Sequence, residues 1–550
     1  MPRSPLMSRV LRLAKDVYDA ESRGISVDQV RSERSSRLSR RDFLKGTGAA
    51  AAGLALAGPG NLLRAAAAPR QPGIAVIGAG IAGLSAALHL QDHSVGCTIY
   101  EASDHVGGRM HSMLAGQFWQ NGQTSEWCGE LIDTNHKTIQ ALAQRFNLPL
   151  VDMLGAQPAG SEDTYYVHGH YYPWQQATAD FQAIAPTLKS QLHQAPFPTL
   201  YNSFTSFGQF LDNMSAYQWI ENYVPGGHAS DFGALLDNAY NNEYGLDTTQ
   251  QSSLNLLYLL AYMPAQASVG GFDWYGVSDE KFHIIGGNQQ LPIAIANRLQ
   301  TVAPTCPINF NWRLTAIGTN ADGTVSCTFS TPAGSVTQTF AQVILTTPFS
   351  VLRGLDYSGA GFDSLKKTAI TQLGYGTNTK FNLQFKSRFW NGRGAWPGIS
   401  DGTIYTDLPL NNTWDATRGA AGATGVVVLF TGGSVGASVK LPQPYMTSAQ
   451  GSSVTTAVNQ FLKQVDTIWP GAAKQYNGLA TVSTPWSDPN QLGSYSCWKV
   501  GQYTAFSGYE GVAQGNIHFA GEHCSINFQG FMEGGAQEGQ RAAHEVLVTS

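Results

Sequence analysis

The chain has 550 residues and a formal net charge of −5 at pH 7, which argues against nucleic acid as a partner. Its length exceeds that of one small domain, so we expect two closely packed domains. After residue 70, no run of about 18 or more apolar residues predicts a membrane span. The six cysteines lack the spacing of a zinc site, so we predict no metal and expect buried free thiols, although spacing cannot reveal their pairing.

The first 68 residues contain a processing signal. "SRRDFLK" at 39–45 carries the twin arginines Arg40 and Arg41, and a weakly apolar run rich in Gly and Ala follows and ends near Ala68. A basic region, a short apolar region and small residues at the end describe a cleavable signal. The pattern resembles a twin-arginine (Tat) signal, which exports folded proteins. It predicts residues 1–68 as the signal segment, the Tat machinery as a partner, and a periplasmic or secreted product. A disordered basic tail is the alternative, and the first 38 residues have no interpretation.

A Gly-rich turn follows the first predicted strand, in the stretch "IAVIGAGIAGLSAALHL" that begins at Ile74. Gly78 permits a tight turn, Gly80 lets backbone amides approach a pyrophosphate, and Gly83 lets the next helix pack on the strand. The second strand, "CTIYE", ends in Glu101, where a carboxylate can accept hydrogen bonds from ribose hydroxyls. This order predicts a dinucleotide site but leaves NAD and FAD as alternatives.

The end of the chain supplies a second segment that faces a ligand. "NIHFAGE" reads as a strand ending in Gly521 and Glu522, followed by a loop and a helix from about Met532. A helix start again places backbone amides near a charged or polar ligand. Because both ends of the chain contribute to the site, we predict a discontinuous domain and a long bound ligand.

Together these motifs resemble the flavin-containing amine oxidases, the superfamily of monoamine, polyamine and L-amino-acid oxidases, over residues 72–548. The other shared motifs are "VGGRM" at 106–110, "IIGGNQQLP" near 284–292, "VILTTPFSVL" near 343–352, "TKFNLQFKSRFW" at 379–390, "GSYS" at 493–496 and "FAGEH…GFMEGG". The resemblance implies FAD as cofactor, with Glu101 on the adenosine ribose and with Gly108 and Arg109 along the pyrophosphate and flavin. Glu522 would meet the ribityl and phosphate region, and the backbone of Leu314 would lie near the adenine.

The same resemblance implies that the FAD is bound without a covalent link. Monoamine oxidases have a cysteine directly before the tyrosine of the motif that aligns with "GSY", and this chain has Ser494 there. Cys497, three positions later, is the alternative tether.

The family transfers a hydride equivalent from the carbon that bears an uncharged amine to flavin N5 and returns the electrons to oxygen as peroxide. Lys380 lies in "TKFNLQF", where period-2 alternation predicts a strand with one buried face. A solvated strand lysine is the alternative. In the family, a lysine of this motif holds a water beside flavin N5, which implies a catalytic role for Lys380 in proton transfer and reoxidation.

Aromatic residues near the end of the chain are further candidates for the catalytic centre. Tyr495 and Phe531 align with the two rings that flank the substrate amine in monoamine oxidases, and ring faces attract and desolvate amines. Two ordinary core aromatics are the alternative. Trp498 is a third candidate for the wall of the site.

The stretch "SEWCGELID" at 125–133 bears on the substrate. L-amino-acid oxidases place a carboxylate-binding arginine in the aligned segment, but this chain has Leu131 there. Asp133 aligns with an acid that faces substrate amines in plant polyamine oxidases, and Glu130 is a second candidate. The alternative role for both acids is capping the helix that "KTIQALAQRF" predicts.

The missing arginine favours a primary amine, either a monoamine or a diamine, as the substrate that oxygen oxidises. A buried α-carboxylate would need another cationic partner. An L-amino acid is the second candidate, because no motif gives the positions of Arg313, Arg353 and Arg388, and one of them could bind the carboxylate. A flavin-dependent desaturase or isomerase and a non-catalytic flavoprotein are alternatives of other classes.

The expected fold is α/β, a two-domain flavoprotein. A discontinuous Rossmann-like FAD-binding domain would comprise residues 70–135, 278–350 and 485–550. A mixed α/β substrate domain would comprise 136–277 and 351–484, with a helical insert in its first part. The sequence leaves open whether two copies form a homodimer.

Overall fold

The computed structural model describes residues 13, 15–20, 22–31, 73–261 and 279–549. Of the signal segment predicted at 1–68, residues 32–68 lie outside this part, and so do residues 262–277 of the expected insert. In chain order the strands are β1 (Ile74–Ile77), β2 (Thr98–Tyr100), β3 (Ser112–Met113), β4 (Ser125–Glu126), β5 (Leu150–Asp152), β6 (Glu162–Val167), β7 (His170–Tyr171), β8 (Phe282–Ile284), β9 (Ile308–Asn309), β10 (Arg313–Thr319), β11 (Val325–Thr331), β12 (Gly334–Phe340), β13 (Gln342–Leu345), β14 (Gly374–Tyr375), β15 (Thr379–Phe385), β16 (Ser400–Thr406), β17 (Asn412–Asp415), β18 (Gly425–Thr431), β19 (Tyr445–Thr447), β20 (Tyr476–Ser483), β21 (Ser496–Cys497) and β22 (Ile517–Phe519).

The α-helices that begin after residue 80 lie between these strands. They are α1 (Ile81–Asp92), α2 (Lys137–Arg145), α3 (Trp174–Gln194), α4 (Ser206–Asp212), α5 (Ala216–Tyr223), α6 (Asp231–Tyr244), α7 (Ser253–Leu260), α8 (Gln290–Thr301), α9 (Phe349–Leu352), α10 (Ser364–Gln372), α11 (Gly433–Ser438), α12 (Ser452–Ile468), α13 (Ala472–Gln475), α14 (Gln502–Phe506) and α15 (Met532–Thr549). Among the helices of the described residues, none is long and apolar enough to cross a membrane.

A five-stranded parallel sheet stands behind the Gly-rich turn, in the order β22-β13-β1-β2-β9. Its strands come from three separate stretches of chain, so the two ends of the sequence meet in one layer. Helix α1 follows β1 and packs tightly on it, because a Cβ at Gly83 would lie 2.0 Å from the carbonyl oxygen of Gly78. Helix α15 packs as closely on α1, since a Cβ at Gly539 would lie 2.1 Å from the carbonyl oxygen of Ala82.

An eight-stranded mixed sheet forms the second layer, in the order β19-β20-β15-β18-β17-β16-β6-β7. The prediction that β15 has one buried face is wrong, because all seven of its residues are buried. Its polar face packs on residues 120–130 instead of water. The Nδ2 of Asn382 donates to the carbonyl oxygen of Glu126 at 3.2 Å, and the Nε2 of Gln384 donates to that of Gln120 at 3.2 Å. The polar residues that alternate along β15 therefore form a face that is buried against other protein segments and not exposed to water.

Helices α3 to α7 follow one another without an intervening strand pair and form the expected helical stretch. Their starts use local side-chain caps: Ser215 and Gln218 form a capping box at α5, and the Ser230 hydroxyl accepts from the amide of Gly233 at α6. Such caps satisfy amides that the helix itself leaves unpaired. The inner faces of these helices belong to the largest apolar cluster of the described residues.

A segment ahead of the export signal packs on this helical stretch. Residues 15–20 and 27–31 are helical, and Leu13, Val17 and Tyr18 lie in the same apolar cluster as α3. The Tyr18 ring contacts that of Phe181 at 5.9 Å, and Arg31 donates to the hydroxyl of Thr178 at 3.3 Å. The first 38 residues, which had no interpretation from sequence, thus include a packed part of the fold.

We expect Val17→Asp to lower the melting temperature of the full-length protein, because Val17 is fully buried and an unpaired carboxylate there must be desolvated. Differential scanning fluorimetry measures the shift, and limited proteolysis should show new cleavage within residues 13–31. Asp28→Ser is the matched control on the same segment, since Asp28 is exposed. Equal melting temperatures for the two variants would contradict the packing of this segment.

Candidate active site

One cavity has walls from both sheets. Its lining includes most of the residues predicted for cofactor and catalysis: Gly78, Gly80, Glu101, Gly108, Arg109, Asp133, Leu314, Lys380, Tyr495, Gly521, Glu522, Phe531 and Met532. Gly83 is not on the wall, as expected for a glycine that lets α1 pack on β1. The prediction for Trp498 is wrong: this residue is not in the lining, and its ring packs on those of Tyr503 and Phe506 at 5.0 and 5.6 Å.

The end of the cavity near β1 and β2 has the form of a dinucleotide cradle. Gly78 has φ +105°, and a Cβ there would lie 2.4 Å from the hydroxyl of Thr346, so only glycine fits. The carboxylate of Glu101 accepts from the amide of Ala79 at 2.6 Å and from the amide and hydroxyl of Ser103 at 2.8 and 2.7 Å. A carboxylate has about four acceptor sites, which leaves room for a ribose hydroxyl. These residues fit FAD.

We expect Glu101→Ala to be purified with little flavin, because Ala79 and Ser103 lose their acceptor and the ribose contact is removed. The ratio of absorbance at 450 nm to 280 nm measures FAD retention. Glu101→Asp, which keeps the charge on a shorter side chain, should retain an intermediate fraction. Full loading of Glu101→Ala would contradict the ribose contact.

An ion pair between Arg109, whose side chain is 23% exposed, and Glu522, whose side chain is 6% exposed, joins three segments of the cavity wall. Arg109 donates to Glu522 Oε1 at 3.0 Å and to the carbonyl oxygen of Ser494 at 3.0 Å. Glu522 also accepts from the amide and hydroxyl of Ser496 at 3.0 and 2.7 Å and from the amide of Gly530 at 2.8 Å. Ser496 follows Tyr495, and Gly530 precedes Phe531. Glu522 therefore fixes the positions of the backbone segments that carry both predicted aromatic residues.

Lys380 lies inside the protein with 4% of its surface exposed. Its Nζ donates to the carbonyl oxygen of Cys128 at 2.7 Å and to Glu130 Oε2 at 2.8 Å. The other oxygen of Glu130 accepts from the indole of Trp414 at 2.9 Å, and the Trp414 ring lies 5.4 Å from Nζ. A buried amino group needs such partners, so Glu130 and the carbonyl oxygen of Cys128 hold Lys380 in place on the cavity wall.

The two predicted aromatic residues lie on the same wall but are held differently. The hydroxyl of Tyr495 donates to the carbonyl oxygen of Asn242 at 3.3 Å, and the ring of Phe531 meets that of His136 at 5.0 Å. Burial lowers the pKa of His136 to about 4, so this imidazole is neutral at pH 7. Phe531 thus packs on an uncharged ring, which favours a desolvated ligand at this part of the wall.

Asp133 lines the cavity with 1% exposure. Its Oδ1 accepts from the amide of Glu280 at 2.9 Å, and its Oδ2 lies 3.4 Å from Nε2 of His136. Helix α2 has His136 as its N-cap residue, and Glu533 of α15 accepts from the amides at its start. Asp133 therefore does not cap α2, and its carboxyl group lies beside a neutral imidazole.

The three unplaced arginines differ in location. Arg313 lines the cavity and donates to Asn490 and to the carbonyl oxygen of Pro489. Arg353 donates to the carbonyl oxygens of Phe349 and Leu373, and Arg388 donates to those of Gly422, Thr417 and Ala420; neither lines the cavity. Residues 262–278 contain no lysine or arginine. Within the described lining, the lysines and arginines are Arg109, Arg313 and Lys380.

Several residues of the site could not be found from sequence. Trp414, Phe430 and Asn378 line the cavity, and no motif marks them. The pairing of Glu130 with Lys380 joins residues 250 positions apart, which local spacing cannot show. Within the described residues, no three His, Cys, Asp or Glu side chains gather as metal ligands.

Three residues bear on whether a flavin could be attached covalently. Ser494 lines the cavity and donates to Asn378 at 2.6 Å. Cys497 is buried elsewhere and is absent from the described lining. Cys128 is on the wall, but burial raises the pKa of its thiol to about 11, so the nucleophilic thiolate is disfavoured.

Two family models match this chain. Residues 81–547 match the flavin containing amine oxidoreductase family, and residues 37–57 match the twin-arginine translocation signal. The Bacillus subtilis (strain 168) protein YobN, which carries the name of an L-amino-acid oxidase, is 25% identical over 497 residues, covering 86% of this chain and 94% of YobN. Polyamine oxidase 4 of Oryza sativa subsp. japonica is 26% identical over 481 residues, covering 86% of this chain and 88% of that protein.

Among solved structures, cyclohexylamine oxidase from Brevibacterium oxydans IH-35A matches with a TM-score of 0.70 and 18% identity. The match covers 87% of this chain and 99% of that one. The mixed α/β fold and the export signal are thereby confirmed. The family match favours an oxidoreductase acting on amines over a desaturase, an isomerase or a non-catalytic flavoprotein. The chain belongs to the flavin-containing amine oxidoreductase family.

Proposed function

We propose that the protein is an exported FAD-dependent oxidase of primary amines, either monoamines or diamines. Amine, oxygen and water would give aldehyde, ammonia and hydrogen peroxide. The observation that carries this choice is the charge of the cavity wall. Arg109 is paired with Glu522, Lys380 with Glu130, and Arg313 is bound to Asn490, so a substrate carboxylate would have to displace an existing partner. Asp133 instead offers a carboxyl group to an amine.

The residues have separate roles in this proposal. The chemistry that FAD supplies here is the uptake of two electrons from the amine and their return to oxygen. Tyr495 and Phe531 orient and desolvate the amine through their ring faces. Lys380, held by Glu130, positions a water and moves a proton at its Nζ. Glu101 and the amides around Gly78 and Gly80 bind the adenosine and pyrophosphate.

The test is peroxide release from matched pairs that differ only in a carboxylate. Phenethylamine is compared with phenylalanine, cadaverine with lysine, and tyramine with tyrosine. We expect activity with the amines and little with the amino acids. Activity confined to the amino acids would overturn the proposal.

The second candidate is L-amino-acid oxidation to a 2-oxo acid, ammonia and peroxide. Arg313 on the cavity wall favours it, since a guanidinium can bind a carboxylate through two hydrogen bonds. If amino acids are the substrates, Arg313→Gln should raise KM for phenylalanine much more than for phenethylamine. Equal effects on both would leave Arg313 without a part in substrate recognition.

The domain division and location complete the proposal. The five-stranded parallel sheet, built from three stretches of chain, supports an FAD domain of residues 70–135, 278–350 and 485–550. The eight-stranded sheet and helices α3 to α7 support a substrate domain of 136–277 and 351–484. The signal at 37–57 supports export with FAD already bound, to the periplasm or the medium.

We expect acid precipitation of the purified holoenzyme to release all of its flavin into the supernatant. Ser494 offers no thiol, and the raised pKa of Cys128 disfavours attack on the flavin. Fluorescence of the supernatant and of the washed pellet measures the two fractions. Flavin that stays with the pellet would show a covalent bond, and mass spectrometry of its peptide would identify the residue.

A further inference from the structure

Two cysteines face each other at one edge of the parallel sheet. Strands β2 and β9 pair in parallel, with Ile99 opposite Ile308, and the same register places Cys97 opposite Cys306. The two backbone segments remain close ahead of the paired residues, because the amide of Ile99 donates to the carbonyl oxygen of Pro307 at 2.9 Å. An added Cβ at Gly96 would lie 3.6 Å from the Cβ of Pro304. The two backbones therefore run side by side through both cysteines.

This placement is compatible with the Cα spacing of a disulfide. Neighbouring strands are about 4.8 Å apart, and disulfides join residues whose Cα atoms are about 4.4–6.8 Å apart. Residues directly opposite in parallel strands point to the same face, and Cys97 and Cys306 belong to one apolar cluster. Neither thiol lines the cavity described above, so the pair is separate from the proposed active site.

The two thiols are unequal. A hydrogen bond from Cys97 lowers the pKa of Cys306 to about 7, while the same bond and burial raise the pKa of Cys97. Cys327, buried without such a neighbour, has its pKa raised to about 12 by burial. A thiol with a low pKa beside a second thiol can be oxidised by peroxide and resolved by its neighbour. Cys306 is 0% and Cys97 6% exposed, so peroxide, a small uncharged molecule, must enter the protein to reach them.

We propose that Cys97 and Cys306 are a redox pair that hydrogen peroxide closes to a disulfide. The Cys306 thiolate attacks one peroxide oxygen, the O–O bond breaks, and hydroxide leaves, which gives a sulfenic acid at Cys306. The Cys97 sulfur then attacks the Cys306 sulfur, the S–O bond breaks, and the proton from Cys97 leaves with hydroxide as water. Two thiols lose two electrons, and one peroxide becomes two waters.

The disulfide would tie β9, the edge strand, to β2, which ends beside Glu101. Cross-linking residues so far apart in sequence restricts the unfolded chain. We therefore expect the oxidised protein to melt about 3–10 °C higher than the reduced protein. Peroxide is also the product that the proposed reaction would release, so turnover would oxidise the pair and stabilise the enzyme.

The test uses reduced holoenzyme and added hydrogen peroxide, so it does not depend on the substrate or on turnover. After treatment, free thiols are blocked by alkylation and the protein is digested without reductant. Mass spectrometry should find one cross-linked peptide containing Cys97 and Cys306, two hydrogens lighter than the reduced pair, and the melting temperature should rise. Recovery of both cysteines as alkylated thiols after peroxide would overturn the proposal.

Single variants test the order of the two steps. Cys97→Ser should trap the sulfenic acid at Cys306, which a dimedone adduct detects, and Cys306→Ser should leave Cys97 as a thiol. Cys327→Ser is the matched control and should form the cross-link at the wild-type rate. If a variant fails to fold, the cross-link in the wild-type protein decides alone. Oxidation at Cys327 equal to that at Cys306 would contradict a built redox pair.

Discussion

Lys380→Met is expected to lower the turnover number by about 10²–10⁴-fold, the range for loss of a positioned proton-transfer group, while FAD stays bound. The structure supports this separation, because Lys380 contacts Glu130 and Cys128. The residues of the dinucleotide cradle lie elsewhere, in the turn between β1 and α1 and directly after β2. Stopped-flow absorbance at 450 nm follows flavin reduction by the amine and reoxidation by oxygen separately. Unchanged rates in both phases would remove the assigned role.

Lys380→Met also removes a buried ion-pair partner, so its loss of stability must be distinguished from its loss of turnover. Without Lys380, the buried Glu130 keeps Trp414 as a hydrogen-bond donor but loses its cation, and breaking a buried pair costs about 3–5 kcal/mol. The double variant Lys380→Met/Glu130→Gln removes the unpaired charge. We expect it to regain most of the melting temperature lost in Lys380→Met but none of the rate. Recovery of rate would make Lys380 a purely structural residue.

The features that sequence can predict best are those encoded within one strand, one turn and the helix that follows. Gly78, Gly80 and Gly83 lie between one strand and the helix that follows, so their spacing alone fixes the turn. The helix predicted from about Met532 begins at Met532. Glu101 likewise directly follows its own strand, and its carboxylate accepts from Ala79 and Ser103; its contact with FAD stays a prediction.

The parts that sequence could not supply depend on contacts between distant segments. Trp498 follows Tyr495 closely in sequence, but its ring turns into the core with Tyr503 and Phe506. The alternating strand of Lys380 suggested an exposed face, yet residues 120–130 cover it. Leu13, Val17 and Tyr18 precede the export signal in sequence, but they pack in the same apolar cluster as α3. None of these contacts has a local pattern.

Glu522→Gln is expected to yield protein largely free of flavin. The carboxylate of Glu522 accepts four hydrogen bonds, two on each oxygen: from Arg109 and the amide of Ser496 on one, and from the hydroxyl of Ser496 and the amide of Gly530 on the other. A glutamine keeps one acceptor oxygen and turns an NH2 group toward donors on the other side. It also leaves the charge of Arg109 without its partner.

The cost of that substitution follows from burial. Glu522 is 5% exposed, and breaking a buried ion pair costs about 3–5 kcal/mol. The segments that carry Tyr495 and Phe531 lose their common anchor, so we expect residual holoenzyme to show a raised KM for the amine as well. Absorbance at 450 nm, the melting temperature and KM are the three measurements.

Glu510→Gln is the matched control, because it makes the same substitution at another buried glutamate. Burial raises the pKa of Glu510 from 4.5 to about 8, so its side chain is already neutral at pH 7 and glutamine is a close replacement. A raised carboxyl pKa stabilises the fold fully below pH 4.5, and this stability is lost as the pH rises through about 8. Glu510→Gln should therefore keep its flavin. Its melting temperature should also fall less with rising pH than that of the wild type. If both variants retained flavin equally, the anchoring role of Glu522 would be wrong.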